Sequence, residues 1–457
     1  MNQLTEFLGA KVEAQKEYFR SGATLPYKFR IEQLKRLDEA LSDWEQPLCE
    51  ALWHDLHKSY EEATLTELSI IRSEIRDQMH NLRRWMRPRR LRSPLKMFPS
   101  TTRLHTQPLG TALIIAPWNY PVQLLLNPLV GAIAAGCTAV VKTSPYVPRV
   151  SQVLVQMIAS TFDEKYVMAI DGHRDVNTAL LELHFDLIFF TGSPTLGQRV
   201  MEAAARNLTP VVLELGGKSP CVVAEGADVK IAARRIAWGK SLNAGQTCIA
   251  PDYLLIHSSL KEEFVEEYRQ ALLMLHGEDA SQSQHYGRLV SPKAYERVSG
   301  YLADGRVVVG GACKPDERYI EPTLLEVTSP NVAVMQEEIF GPVLPLLTYE
   351  HKEEVVEFIS SRPHPLALYY FGPRKEGKEL LRHTLSGGAC INDTIMHIVN
   401  QHAPFGGVGH SGMGRYHGKE SFLAFSHQRT VVTTPTIIDL PLRYMPYKLF
   451  GLIKRLL

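Results

Sequence analysis

Apolar residues recur three and four apart through the first 87 residues, most clearly in RIEQLKRLDEALSDWEQPLCEALWHDL and LTELSIIRSEIRDQMHNLRRWM. That spacing places an apolar stripe on one face of successive helices, and Pro88 closes the run. The opening MNQLTEFLGAKVEAQKEYFR reads as another amphipathic helix and lacks the apolar core and small-residue cleavage site of a signal peptide. From about residue 106 the texture changes to short apolar runs alternating with helical segments: TALIIAPWN, a helix before Gly136, TAVVK, SQVLVQMIASTF and DLIFFTG. A second such series follows in PCVVAE, ADVKIAARRIAWGKSL, DYLLIHS and KEEFVEEYRQALLML. The alternation predicts two α/β units built on parallel strands, with no internal repeat. The weakly polar stretch 121–141 is interrupted by Pro121, Asn127, Pro128, Gly131 and Gly136, which favours a buried helix running into a buried strand over a membrane span.

Composition narrows the class without naming a chemistry. With 457 residues, 45% hydrophobic and 22% charged, the chain is neither a disordered polymer nor a small disulfide scaffold, and its length suits two or three domains. Fifty basic residues against 49 acidic ones give no overall attraction to nucleic acid or an anionic membrane, so such a partner would need a local patch. Segment 83–96, RRWMRPRRLRSPLK, carries seven positive charges but has only Trp85 and Phe98 as aromatic company, so it reads as a solvated connecting arm or interface element. The last residues, LRYMPYKLFGLIKRLL, mix basic and apolar side chains; docking on the protein itself is favoured over a surface-lying membrane helix. Six cysteines, scattered singly and with no zinc-ligand spacing, imply a reduced, cytoplasmic setting.

Candidate chemistry sits in a few short segments. In SLNAGQTCIAPDYLL, Gly245 allows close backbone approach, and the Gly-Gln-Thr turn can present N–H donors to a Cys248 thiolate. A single cysteine is otherwise a small buried hydrophobe. Glu214, at the end of the strand in LTPVVLELGGKSP, is a carboxylate among apolar residues, whose raised pKa suits a general base; a surface Glu at a strand end fits the segment equally. Asn119 in TALIIAPWNYP offers a neutral donor for an oxyanion, or is an ordinary turn residue. Strand, glycine turn and helix in DLIFFTGSPTLGQRV, with Gly192 and Gly197, form a phosphate-binding pattern. The literal G-x-G-x-x-G string at 407–412 has no preceding strand in the required context and is set aside.

Taken together, APWNYP, VVKTSP, FFTGSPTLG, LELGGKSP, GQTCIAPDY, QEEIFGPVLP and PFGGVGHSGMGRYHG, in this order from about 109 to about 425, resemble the aldehyde dehydrogenase superfamily. The pairing of GQTCIAPDY with LELGGKSPC, a short N-terminal region and HGKESFLAFSH is most similar to the class 3 branch of fatty and aromatic aldehyde dehydrogenases. The resemblance implies a Rossmann-type cofactor domain (1–87 and 107–213), an α/β catalytic domain (214–420), a small β oligomerisation arm (88–106 and 421–440) and a tail (441–457). It also implies NAD or NADP as cofactor, an aldehyde substrate and a homodimer, with no nucleic acid partner. Cys248 then corresponds to the nucleophile, Glu214 to the base that hydrolyses the thioester, and Asn119 with the Cys248 N–H to the oxyanion hole. Lys142, Gly192, Ser193, Gly197, Glu338, Phe340 and Trp118 fall at cofactor positions.

One position departs from the family pattern. Many NAD-preferring members carry a Glu three residues after the lysine, where this chain has Pro145, so a 2′-phosphate meets less repulsion and NADP is expected to be tolerated in addition to NAD. The tail is expected near a partner's substrate entrance or in weak peripheral contact with a membrane. Tyr60, Phe405 and His402 are the candidate channel residues. An acyl-CoA-forming or thiol-esterase relative could use the same acyl-cysteine, and retention of Glu214 favours water as acceptor.

Overall fold

The computed structural model describes residues 3–439, 444–447, 450, 451 and 454, so most of the tail, including any gate it forms, lies outside the described residues. Helices Gln3–Arg20, Tyr27–Asp43, Glu45–Leu56 and Ser69–Trp85 account for most of the N-terminal region, where the spacing predicted them. Their inward stripes are fully buried at Leu34, Leu37, Leu41, Leu48, Leu52, Ile71, Ile75 and Leu82. Burying each of these side chains contributes about 2 kcal/mol, which outweighs the modest intrinsic preference of an isolated helix.

The first α/β unit is a six-stranded sheet in the order Gly412–Met413, Val211–Leu215, Leu187–Gly192, Thr111–Ile115, Thr138–Lys142, Val167–Ile170. All pairings are parallel except that of Gly412–Met413, which joins the edge of Val211–Leu215 antiparallel. That short edge strand is part of the set-aside glycine string, which therefore covers a sheet edge. The wholly buried helix Gln123–Ala135 leads into Thr138–Lys142, as the interrupted apolar stretch predicted, and no described helix is long and apolar enough to cross a membrane. Strand order reverses between Thr111–Ile115 and Leu187–Gly192, so the loops leaving their C-terminal ends diverge and open a crevice.

The second unit is a seven-stranded sheet, Arg306–Val309, Thr323–Glu326, Val343–Tyr349, Tyr253–His257, Pro220–Val223, Ala367–Phe371, Gly388–Ile391, parallel after its antiparallel first strand. A third, three-stranded antiparallel sheet of Arg89–Leu91, Thr101–Pro108 and Ser426–Thr433 forms the arm. The fold class is thus α/β, with a Rossmann-type sheet, a second α/β sheet and a small β arm.

A buried ion pair ties the N-terminal helices to this frame. Between Glu45–Leu56 and Ser69–Trp85 the chain makes one turn of helix, Tyr60–Ala63, and then a wider π turn, Thr64–Leu68. Lys58 precedes these turns and Glu67 lies within the second; both side chains lose all solvent contact and meet at 2.6 Å. The Lys58 ammonium also donates to the Asn119 carbonyl at 3.1 Å and lies 4.0 Å from the Tyr120 ring centroid. Glu67 accepts the backbone N–H groups of Val122 at 2.8 Å and Gln123 at 3.1 Å. Every lone pair and proton of a buried pair must be used for it to be tolerated, and here the loop before Gln123–Ala135 supplies the partners. Lys58→Met strands the Glu67 carboxylate and should cost about 3–5 kcal/mol. Chemical denaturation should show a large fall in midpoint for Lys58→Met and partial recovery in Lys58→Met/Glu67→Gln.

Candidate active site

The crevice at the strand-order reversal gathers the first group of side chains. Trp118 and Asn119 lie in the loop leaving Thr111–Ile115, and Gly192 with Ser193 ends the neighbouring strand. Glu214 lies in the next strand, opposite Thr191 on one side and Gly412 on the other. It is buried, neither carboxylate oxygen has a hydrogen-bond partner, and burial pushes its pKa well above the carboxylate range. The carboxyl of Glu214 is thus buried at the strand rather than exposed at its end.

The cysteine loop is held in a strained conformation. After helix Val229–Ser241 the backbone turns left-handed at Asn243 (φ 50°), Ala244 (φ 52°) and Gly245 (φ 75°). Two such residues with a Cβ are costly, so the surroundings must fix them. The Asn243 N–H donates to Glu62 at 2.8 Å, and its amide donates to the carbonyls of Asn119 at 2.8 Å and Gln246 at 3.2 Å. Gln246 donates to the Asn243 and Arg288 carbonyls and accepts the Val290 N–H, each at 3.0 Å. A Cβ on Gly245 would lie 2.2 Å from the Gly341 carbonyl oxygen, so only glycine lets the cysteine loop approach the 338–341 loop this closely.

Cys248 follows this turn and is partly accessible. Burial of its sulfur, with the carboxylates of Glu338 and Glu214 nearby, pushes the thiol up to about 12, while the N–H groups of Cys248 and Ile249 pull the other way. Asn119 donates one amide N–H to the Gln246 carbonyl at 3.0 Å, two residues before the sulfur, which leaves the second N–H of that amide for another acceptor. The adjacent Tyr120 hydroxyl meets Thr247 at 2.7 Å.

Residues absent from the sequence reading hold the 336–341 loop. Lys218 forms a short ion pair with Asp252 and donates to the carbonyls of Val334 at 2.7 Å and Glu337 at 2.8 Å. Asp252 accepts the Ile339 N–H at 2.9 Å, and Arg297 donates to the carbonyls of Glu338 at 3.1 Å and Ile339 at 2.8 Å. Lys218 and Asp252 lie inside LELGGKSP and CIAPDY, so a buried charge beside each glycine or proline turn was the available signal. Phe340, with φ 48°, turns its ring edge-on to Trp118 at a centroid separation of 5.3 Å. Burial, with Asp252 adding to it, raises Glu338 to about 8, and its Oε1 has no partner. The Glu338 carboxylate fills the space that a Cβ on Gly216 would take, 2.1 Å away.

Ser193 and Glu338 line a cleft of about 880 Å³, together with Gly216, Gly217, Lys218 and Arg297. Ser193 caps helix Pro194–Ala205, and Gly197 sits against Leu215, where a Cβ would come within 2.7 Å. Lys142, buried at the end of its strand, donates to the carbonyls of Thr143 at 2.6 Å and Gly172 at 2.7 Å, and burial lowers its pKa to about 8. Tyr60 is exposed and bonded to Glu45, and the largely exposed His402 lies 3.6 Å from Asp77. Phe405 is buried, stacked on His417 and edge-on to Tyr416, whose hydroxyl is kept un-ionised by burial, with Glu214 and Cys248 adding to the effect.

Comparison with known proteins agrees with this arrangement. The family model described as aldehyde dehydrogenase family matches residues 5–431. The chain is 45% identical to 4,4'-diaponeurosporen-aldehyde dehydrogenase of Staphylococcus aureus, over 95% of each chain. It is 43% identical to aldehyde dehydrogenase family 3 member B1 of Mus musculus, over 96% of this chain and 94% of that one. The substrate-bound structure of Staphylococcus aureus AldH superposes with a TM-score of 0.97 at 43% identity, covering all of both chains. The chain belongs to the aldehyde dehydrogenase family, in its class 3 branch, and is an oxidoreductase that uses NAD or NADP.

Proposed function

We propose that the protein oxidises aldehydes to carboxylic acids through an acyl-cysteine at Cys248. The observation that carries this reading is the convergence of a partly accessible thiol with the buried carboxyl of Glu214 and the half-buried one of Glu338, each with unpartnered oxygen, beside an Asn119 amide that has a donor to spare. The residues also fit a dinucleotide. The cleft between the loops has room for it, the capped helix start at Ser193 suits a phosphate, and the unpartnered Glu338 oxygen suits a ribose hydroxyl. Lys142, Ser193, Glu338 and Phe340 would hold it, and when bound it supplies the hydride acceptor.

The chain's own residues have four tasks. Cys248 gives up its proton to water and attacks the aldehyde carbon as the thiolate, and the N–H groups that lower its pKa help hold the anion. Asn119 and the Cys248 N–H donate to the oxyanion of the resulting thiohemiacetal. The Phe340 and Trp118 rings, locked edge to face, keep water from the reacting carbon while it is oxidised. Glu214, kept basic by burial, takes a proton from the water that cleaves the thioester and releases the acid. Water rather than coenzyme A as acceptor is supported by that buried base.

Medium- or long-chain aliphatic and aromatic aldehydes are the proposed substrates, supported by the aromatic group around Phe405 and by the relative named for 4,4'-diaponeurosporen-aldehyde. In this reading residues 1–87 with 107–213 serve the cofactor, 214–420 the chemistry, and the arm joins two subunits. The tail contacts the partner's entrance or a membrane lightly. Cys248→Ala should leave cofactor binding intact and lower aldehyde-dependent formation of reduced cofactor to background; steady turnover in this variant overturns the mechanism. Initial rates with NAD and with NADP at equal concentration should lie within about tenfold of each other, since no carboxylate follows Lys142 at position 145 to repel the 2′-phosphate. Absolute selectivity for NAD contradicts that.

A further inference from the structure

The basic arm is not used by the chemistry above, and its strand register arranges its charges. Between Asp77 and Asp163 the sequence has no acidic residue, and none lies between Glu420 and Asp439. The arm sheet is drawn from these two stretches, so no carboxylate of its own strands balances its cations. Arg90 stands directly opposite Arg103, Arg429 opposite His105, and His427 opposite Gln107. Because side chains alternate along a strand and cross-strand partners share a side, Arg90, Arg103, His105, His427 and Arg429 all lie on one face. The three arginines and His427 are exposed, and no ion pair to any of them is found among the described residues. Like charges placed directly opposite one another weaken a sheet, so the Arg90 and Arg103 pair has a cost within the fold that an anionic counterpart would remove.

Beside this face the loop joining the first two arm strands projects apolar side chains into water. Leu95 is 87% exposed and Phe98 58%, with Lys96 between them. A shallow hollow of about 540 Å³ lies at the same place, lined by Arg90, Arg92, Ser93, Leu95 and Phe98. The Ser100 hydroxyl bonds that of Thr434 at 2.7 Å, so the chain leaving the last arm strand starts against this loop, and Ile437 three residues on is 94% exposed. A face with three arginines and no carboxylate, beside two or three water-exposed apolar side chains, matches a surface that is anionic outside and apolar just beneath. Nucleic acid has the charge but no apolar layer for Leu95 and Phe98 to enter.

We propose that the Arg90, Arg103 and Arg429 face of the arm, as distinct from the sheet edge left for the subunit contact proposed above, is a docking surface for an anionic phospholipid bilayer: these arginines and Arg92 face the headgroup phosphates, while Leu95 and Phe98 insert below them. This contact is distinct from that of the tail and does not depend on the catalytic reading. Each basic side chain near an anionic leaflet is worth about fivefold in partition, so three arginines give roughly a hundredfold.

The test uses the full chain with vesicles of phosphatidylcholine alone and vesicles in which about a third of the lipid is phosphatidylglycerol. Wild type should co-sediment with the anionic vesicles, release at high salt, and ignore the neutral ones. Arg90→Gln/Arg103→Gln/Arg429→Gln should lose roughly a hundredfold in vesicle affinity. Leu95→Ser/Phe98→Ser should weaken binding while leaving its salt dependence. Both variants should keep wild-type turnover of a short, water-soluble aldehyde, which shows that they fold. Equal binding to both vesicle types, or unchanged binding by the arginine variant, overturns the proposal. So does tighter binding to a DNA duplex than to anionic vesicles, or a change of oligomeric state in the arginine variant with vesicle binding intact.

Discussion

Two opposite charges with no solvent contact set the geometry on which the rest of the molecule depends. Lys58 and Glu67 sit 2.6 Å apart, and their remaining hydrogen-bonding capacity is spent on the 119–123 backbone. A buried pair of this kind adds little net stability compared with apolar packing, but it punishes every arrangement that leaves one charge alone. It therefore specifies where the Asn119 carbonyl must be. That carbonyl also takes the Asn243 amide, which fixes the left-handed turn before Cys248. Position thus passes from the N-terminal helices, through one carbonyl oxygen, to the thiol.

The electrostatics of the centre follow from the same closure. Cys248, Glu214 and Glu338 are three acidic groups in one low-polarity space, and each is pushed towards its neutral form. Three such groups resist ionising together, so removing a proton from one raises the cost for the others. In the proposed cycle the thiol and Glu214 need their basic forms at different moments. A site that disfavours holding both charges at once suits a reaction in two stages, acylation and then hydrolysis.

Parallel strands buried on both faces read as continuous apolar runs, so VVLEL and LIFFTG were visible as strands, and the helices between them by their spacing. The two-residue strand Gly412–Met413 was not, because a segment that short has no period of its own and exists only by pairing beside Glu214. Asn243 and Ala244 gave no sign of their left-handed backbone, since nothing local favours it in Ala; the bonds from distant Glu62 and Asn119 impose it. The neighbourhood of His402 was hidden too, since Asp77, 3.6 Å from its ring, lies on another element. What the sequence hid was, in each case, an interaction between residues far apart in the chain.

In the proposed cycle an acyl group is carried by Cys248 and removed by water that Glu214 activates. Glu214→Gln keeps shape and removes the base, so it should stall the cycle after oxidation. Mixing this variant with excess cofactor and aldehyde, while following reduced cofactor by stopped flow and the quenched protein by intact and peptide mass spectrometry, tests both halves together. The proposed cycle should give a burst of about one equivalent per site, little further turnover, and an acyl mass on the peptide containing Cys248. Steady turnover at the wild-type rate, or an acyl mass on any other residue, would contradict it.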